Sequence, residues 1–126
     1  MDDVFVENPE TIASAICIGK PASWQPAKAA LQFSGGKIDK VTDEEILTAY
    51  QMITAQEGIF VEPASAAALA GIIKLQKAGS IDEGSIVVAT MTGHGLKDPD
   101  NAVEHANAEA TTVEPTLDAV RAAIGL

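Results

Sequence analysis

Polar and apolar positions repeat at helical spacing over the middle of the chain. Four apolar residues recur there at intervals of three or four: Ile46, Leu47, Tyr50 and Ile53. Thr42 to Glu45 has the pattern of a capping box, in which the threonine hydroxyl bonds the Glu45 amide and the Glu45 carboxylate bonds the Thr42 amide. The pattern therefore predicts a helix that begins after Thr42 and runs to Gln56, before Gly58.

Caps, prolines and apolar spacing predict further elements on both sides of this helix. The other predicted helices are Asn8 to Gly19, Ser23 to Ser34, one opened by Pro63 and rich in small residues up to Ala78, a short one after Pro99, and one from Thr116 to Ile124. The predicted strands are a short one, Lys37 to Val41, and a fully buried one, Ile86 to Met91. About six helices and two or three strands indicate part of a larger α/β domain, because so small a sheet cannot bury this much apolar surface.

The end of the second predicted strand suggests a ligand site. An unbroken apolar run from Ile86 to Met91 is followed directly by Thr92, Gly93, His94 and Gly95. Open parallel sheets bind ligands at the carboxyl ends of their strands, and glycines there let the backbone approach a small molecule. We expect Thr92 to lie at such an edge, although a hydroxyl in this position also commonly caps the following turn.

Composition and charge restrict the possible partners. The chain has 126 residues, a net charge of −10 and an isoelectric point near 4.4, which oppose binding to nucleic acid and to anionic membranes. It has one cysteine, no run of about 18 apolar residues and no sequence resembling a signal peptide. A cytoplasmic enzyme, or a piece of one, is the expected class.

Most reactive side chains have an ordinary structural explanation. His94 and His105 lie near carboxylates but match no zinc spacing, so we expect no metal, and the serines lack the frame of a nucleophile turn. Ser65 reads as a first-turn helix residue. Glu62 either places a negative charge at a helix N-terminus or lines a pocket, and the sequence alone favours neither.

Five blocks taken together resemble the threonine synthase family. They are Asn8–Ile16, Ile18–Trp24, Val41–Ile46, Glu62–Ala67 and Thr92–Pro99. These enzymes use pyridoxal 5′-phosphate and have the tryptophan-synthase-β-like fold, also called fold type II. The resemblance implies an α/β fold class: the C-terminal portion of that fold, helix-rich, with a small, mostly parallel sheet.

The resemblance covers only the C-terminal third or so of such an enzyme. The family's Schiff-base lysine and its glycine-rich phosphate cup lie upstream, so no catalytic residue is expected here and the chain alone should be inactive. We expect residues 1–107 to be the C-terminal part of the catalytic domain and residues 108–126 to be a tail with a terminal helix. The complete enzyme should be a cytoplasmic homodimer that pairs this segment with its N-terminal part.

The resemblance also implies roles for four residues of this chain. Thr92 is similar to the family hydroxyl that hydrogen-bonds the pyridine nitrogen of the cofactor. Ala15 and Ile16 are similar to residues packed near the cofactor ring, and Glu62 would border the same pocket. The implied reaction converts O-phospho-L-homoserine and water to L-threonine and phosphate.

Two residues depart from the family pattern beside the Ile18-Gly19 turn. Cys17 and Lys20 stand where arginine and asparagine are expected in many relatives. The resemblance therefore predicts the cofactor more firmly than the substrate. Another enzyme of the same fold, such as threonine dehydratase or a cysteine-synthase-like protein, is the nearest alternative. A non-catalytic acidic interaction module is an alternative from a different class.

Overall fold

Helices make up the regular structure of the part of the chain that can be described. A computed structural model describes residues 5–105 and 111–126. The helices in these ranges are α1 (Trp24–Ser34), α2 (Asp43–Glu57), α3 (Pro63–Lys77), α4 (Pro99–Glu104) and α5 (Leu117–Ile124), with 3-10 turns at Ser14–Ile16 and Gly95–Lys97. Within them, no helix has the length and apolar character needed to cross a bilayer.

The core lies between α2 and α3. The buried face of α2 consists of the predicted apolar positions and one alanine: Ile46, Ala49, Tyr50 and Ile53. Against it α3 places Ala66 and Ala70, whose small side chains let the two helix backbones approach closely. Val61 and Ala13 are also buried in this cluster. The small residues Ala66 and Ala70 of α3 therefore pack against α2.

The predicted capping box is confirmed. The Thr42 hydroxyl accepts a hydrogen bond from the Glu45 amide at 3.2 Å, and the Thr42 amide donates to the Glu45 carboxylate at 2.8 Å. Helix α2 ends at Glu57, one residue later than predicted. The terminal helix is also confirmed, because the Thr116 hydroxyl accepts from the Ala119 amide at 3.3 Å where α5 begins.

The helix predicted from Asn8 to Gly19 is wrong. Only the 3-10 turn Ser14–Ile16 forms in that segment. The Thr11 hydroxyl donates to the Asp43 carboxylate at 2.5 Å and accepts from the Ala13 amide at 3.2 Å, while the Ile12 amide donates to the same carboxylate at 3.2 Å. These bonds offer the backbone an alternative to the helix and attach the segment to the first turn of α2.

The two predicted strands form no ladder within the described ranges. The one isolated bridge there is antiparallel and joins Val61 to His94. Ile86 is 95% exposed, and Val88 is also exposed. A strand is defined by hydrogen bonds to a neighbour, and these described ranges supply none for residues 86–91. The helix-rich part of the predicted fold class is present, whereas the small parallel sheet is not seen in these ranges.

Side-chain contacts hold the other predicted strand, residues 37–41, on α3. Asp39 forms ion pairs with Lys37 at 2.9 Å and with Lys74 at 3.4 Å, and the Lys74 ammonium also donates to the Lys40 carbonyl at 2.5 Å. The hydrogen bond from Lys37, with those from the Lys40 amide and Lys74, holds the pKa of Asp39 well below its usual range. The domain boundary expected between residues 107 and 108 lies outside the described residues.

Candidate functional site

The loop that follows Met91 lies against the start of α3. The Glu62 amide donates to the Gly93 carbonyl at 3.1 Å, and the Gly95 amide donates to the Phe60 carbonyl at 3.1 Å. The side chains of Phe60 and His94 stack edge to face, with their ring centroids 5.5 Å apart. The loop and residues 60–62 are therefore held in one register, although the two segments are far apart in sequence.

Both glycines of the loop are required by this close approach. A Cβ on Gly93 would collide with the Glu62 carboxylate and lie 2.9 Å from its Cγ. A Cβ on Gly95 would overlap the Phe60 ring, with Cδ2 at 2.5 Å. Real Cβ atoms do not approach neighbours so closely, so an alanine at either position must displace a side chain. The sequence suggested a close approach to a ligand, and the structure shows that these glycines first permit packing within the chain.

A pair of hydroxyl groups occupies the turn between the loop and α3. Ser65 is only 2% exposed, and its hydroxyl accepts from the Gly93 amide at 2.7 Å. The same oxygen lies 3.1 Å from the hydroxyl oxygen of Thr92, whose side chain belongs to an exposed residue. The buried serine hydroxyl thus contacts the hydroxyl of an exposed threonine residue.

The Glu62 side chain is buried beside this pair. The residue is 4% exposed, and its carboxylate lies 3.3 Å from the ammonium of Lys97, whose side chain is 60% exposed. Glu62 is the N-cap residue of α3, but its carboxylate makes no capping hydrogen bond. It faces Gly93 and Lys97 instead, so its negative charge is paired with a lysine of the loop. The carboxylate is therefore engaged with the loop and not with the backbone amides at the start of α3.

Ala15 and Ile16 are exposed and lie on the 3-10 turn Ser14–Ile16, which packs against α3. The Ser14 hydroxyl donates to the Asp98 carboxylate at 2.6 Å. This hydrogen bond, together with those from Asn101, lowers the pKa of Asp98. The turn is therefore linked to the end of the loop that carries Thr92. The Glu62 side chain lies against Gly93, the residue after Thr92, and the turn that carries Ala15 and Ile16 is linked to the loop by the hydrogen bond between Ser14 and Asp98.

Sequence reasoning missed the role of Ser65. It does lie in the first turn of α3, as predicted, but its side chain bonds across to residues 27 and 28 positions later. No local pattern reveals such a partner. The described residues hold no group of three or more histidine, cysteine, aspartate or glutamate side chains arranged for a metal ion.

A neutral hydroxyl such as that of Thr92 can donate a hydrogen bond to a nitrogen or oxygen acceptor. The sequence pattern of the family described as "Pyridoxal-phosphate dependent enzyme" matches residues 2–93 of the chain, which include Thr92 and Glu62. The chain belongs to this family. The paired hydroxyl groups of Ser65 and Thr92 and the buried Glu62 carboxylate all lie within the matched residues.

Curated relatives narrow the comparison. Threonine synthase from Halalkalibacterium halodurans is 57% identical over 98 residues, which are 78% of this chain and 28% of that protein. Threonine synthase from Mycobacterium leprae is 56% identical over 99 residues, 79% of this chain and 28% of that protein. Threonine synthase from Synechocystis is 46% identical over 121 residues, 95% of this chain and 31% of that protein. The chain spans about a third, or slightly less, of the length of these relatives.

Proposed function

We propose that the chain is the C-terminal segment of a threonine synthase, which converts O-phospho-L-homoserine and water to L-threonine and phosphate. The observation that carries the proposal is the contact between the hydroxyl groups of exposed Thr92 and buried Ser65. It occurs in a chain that is 46 to 57% identical to threonine synthases. The segment would supply one wall of the cofactor site. Its own lysines are not assigned to the chemistry.

Thr92 is the proposed partner of the pyridine nitrogen. Pyridoxal phosphate, when bound, supplies an electron sink for carbanions, and the protein tunes it through the group placed at that nitrogen. A neutral threonine hydroxyl donates a hydrogen bond to an unprotonated nitrogen, whereas a carboxylate there would favour the protonated form. Thr92 therefore holds the ring in place without adding a charge beside it.

The other proposed contacts surround this hydroxyl. Glu62 would border the ring pocket, and its ion pair with Lys97 keeps the carboxylate fixed beside Gly93. Ala15 and Ile16 would form a neighbouring wall in which the small alanine leaves room for a flat ring. The hydrogen bond between Ser14 and Asp98 supports this placement, because it connects their turn to the loop after Thr92.

The remaining parts of the proposal concern the complete enzyme. The lysine that bonds the cofactor and the glycine-rich phosphate cup would lie upstream, so this chain alone would not turn over substrate. Residues 1–107 would belong to the catalytic domain and residues 108–126 would form a tail. We expect a cytoplasmic homodimer.

A phosphate-release assay tests the proposal. The longer protein that carries this segment should release phosphate from O-phospho-L-homoserine only when pyridoxal phosphate is bound. Replacing Thr92→Val should lower kcat/KM about tenfold, because one hydrogen bond to the ring is lost, while Thr92→Ser should retain most of the activity. Formation of 2-oxobutyrate from threonine without phosphate release would instead indicate a threonine dehydratase.

A further inference from the structure

The Ser65 hydroxyl has more neighbours than protons. Three polar atoms lie within hydrogen-bond distance of its oxygen: the Gly93 amide at 2.7 Å, the Thr92 hydroxyl at 3.1 Å and the Gly93 carbonyl at 3.3 Å. A serine hydroxyl has one proton and two lone pairs. The amide can only donate, so it occupies one lone pair. The single proton must therefore point to Thr92 or to the carbonyl.

Counting the 3.1 Å contact between Ser65 and Thr92 as a hydrogen bond leaves two arrangements of the pair. In the first arrangement, Ser65 donates to Thr92, and the proton of Thr92 points away from Ser65. In the second arrangement, Thr92 donates to Ser65 and Ser65 donates to the Gly93 carbonyl. Thr92 then has only lone pairs available for any other partner. The first uses the shorter of the two Ser65 contacts. It also leaves the Gly93 carbonyl with the hydrogen bond that it already accepts from the Glu62 amide at 3.1 Å.

We propose that Ser65 is a positioning residue that directs the Thr92 proton towards the ligand. The inference rests on the proposed function, in which Thr92 donates to the ring nitrogen. A hydroxyl has one proton, so Thr92 cannot donate to that nitrogen and to Ser65 at the same time. By donating to Thr92, Ser65 keeps this proton available and polarises the hydroxyl that carries it. Ser65 needs no contact with the cofactor for this role.

A purely structural role for Ser65 predicts different behaviour. Ser65 also accepts from the buried Gly93 amide, so its loss could simply loosen the loop. Loosening would weaken the binding of any ring, whether or not the ring carries a nitrogen. The direction of the Thr92 proton would affect only the binding of a ring that carries a nitrogen acceptor. The two roles can thus be separated by comparing ligands.

The experiment uses the longer protein that carries this segment and a pair of probes. One probe is 4′-deoxypyridoxine 5′-phosphate, which cannot bond to a lysine, and the other is its analogue with CH in place of the ring nitrogen. The measured quantity is the ratio of the two dissociation constants, from which general loosening cancels. The proteins are the parent, Ser65→Ala, Thr92→Val and the double variant, with Ser65→Cys as a variant that keeps the side-chain size and a weaker donor.

We expect the parent to prefer the nitrogen-containing probe about tenfold, which corresponds to one hydrogen bond. Ser65→Ala should lower this preference, because the Thr92 hydroxyl loses the donor that fixes its proton away from Ser65 and polarises it. Ser65→Cys should give an intermediate value, while Thr92→Val and the double variant should show no preference. An unchanged preference in Ser65→Ala, together with its loss in Thr92→Val, would overturn the inference and leave the proposed function intact. Full preference in Thr92→Val would instead overturn the assignment of Thr92 itself.

Discussion

The same substitution, glycine to alanine, should have opposite effects at two positions of this chain. In Gly93→Ala the new methyl group would collide with the Glu62 carboxylate and lie 2.9 Å from Cγ of that residue. Glu62 is 4% exposed and is also engaged with Lys97, so its side chain has little room to move away. In Gly71→Ala, inside α3, the methyl group meets no atom within 4 Å.

The two effects can be estimated from these surroundings. Forcing an extra methyl group into a packed site costs about 1–3 kcal/mol. Replacing a glycine by alanine inside a helix with open space stabilises it by about 0.5–1 kcal/mol, because alanine loses less backbone entropy on folding. The free energies of unfolding of the two variants should therefore differ by about 1.5–4 kcal/mol, with the parent between them.

Urea unfolding followed by circular dichroism measures this difference. The midpoint should fall for Gly93→Ala and rise for Gly71→Ala, with similar slopes for all three proteins. A Gly93→Ala midpoint equal to or above that of the parent would refute the close packing of the loop on Glu62. A fall for Gly71→Ala would show that the space around α3 is not open.

Three further predictions concern the helices and the turn at residues 14–16. Thr42→Ala should destabilise the chain by about 1 kcal/mol in urea unfolding because the capping box is lost, and no change in midpoint would contradict that role. Ile53→Ala should cost about 2–5 kcal/mol because Ile53 is 5% exposed in the core, whereas Ile86→Ala should cost less than about 0.5 kcal/mol; equal effects would refute the described core. The Ser14 hydrogen bond lowers the pKa of Asp98 from its ordinary 3.8, so the stability it adds is present above that value and is lost as the pH falls through the folded pKa. Ser14→Ala should therefore lose less stability than the parent on acidification, and identical pH dependence of the two unfolding midpoints would exclude this coupling.

Features that depend on neighbouring residues were predictable from the sequence. The capping box joins Thr42 to a residue three positions away, and the α2 core positions follow one helical spacing. The resemblance to a family could also be seen, because it rests on short blocks of sequence, and the family match over residues 2–93 confirms it.

Features that depend on distant partners were not predictable in the same way. The segment around Thr11 resembles a helix start, but the Thr11 hydroxyl donates a hydrogen bond to Asp43, which is 32 positions away. Ser65 resembles an ordinary helix residue, and its connection to Thr92 exists only after the loop has folded onto α3. The strand pattern at residues 86–91 is clear in the sequence, yet a strand needs a partner to pair with, and the described ranges contain none for it.

The nitrogen-15 resonance of the cofactor reports whether Thr92 hydrogen-bonds the ring nitrogen. Pyridoxal phosphate labelled at the ring nitrogen would be bound to the longer protein that carries this segment and compared in the parent and in Thr92→Val. We expect the signal of a hydrogen-bonded, unprotonated pyridine nitrogen in the parent. In Thr92→Val the signal should shift towards the value of a nitrogen without a hydrogen bond. An identical resonance in both proteins would contradict the claim that Thr92 holds the ring nitrogen.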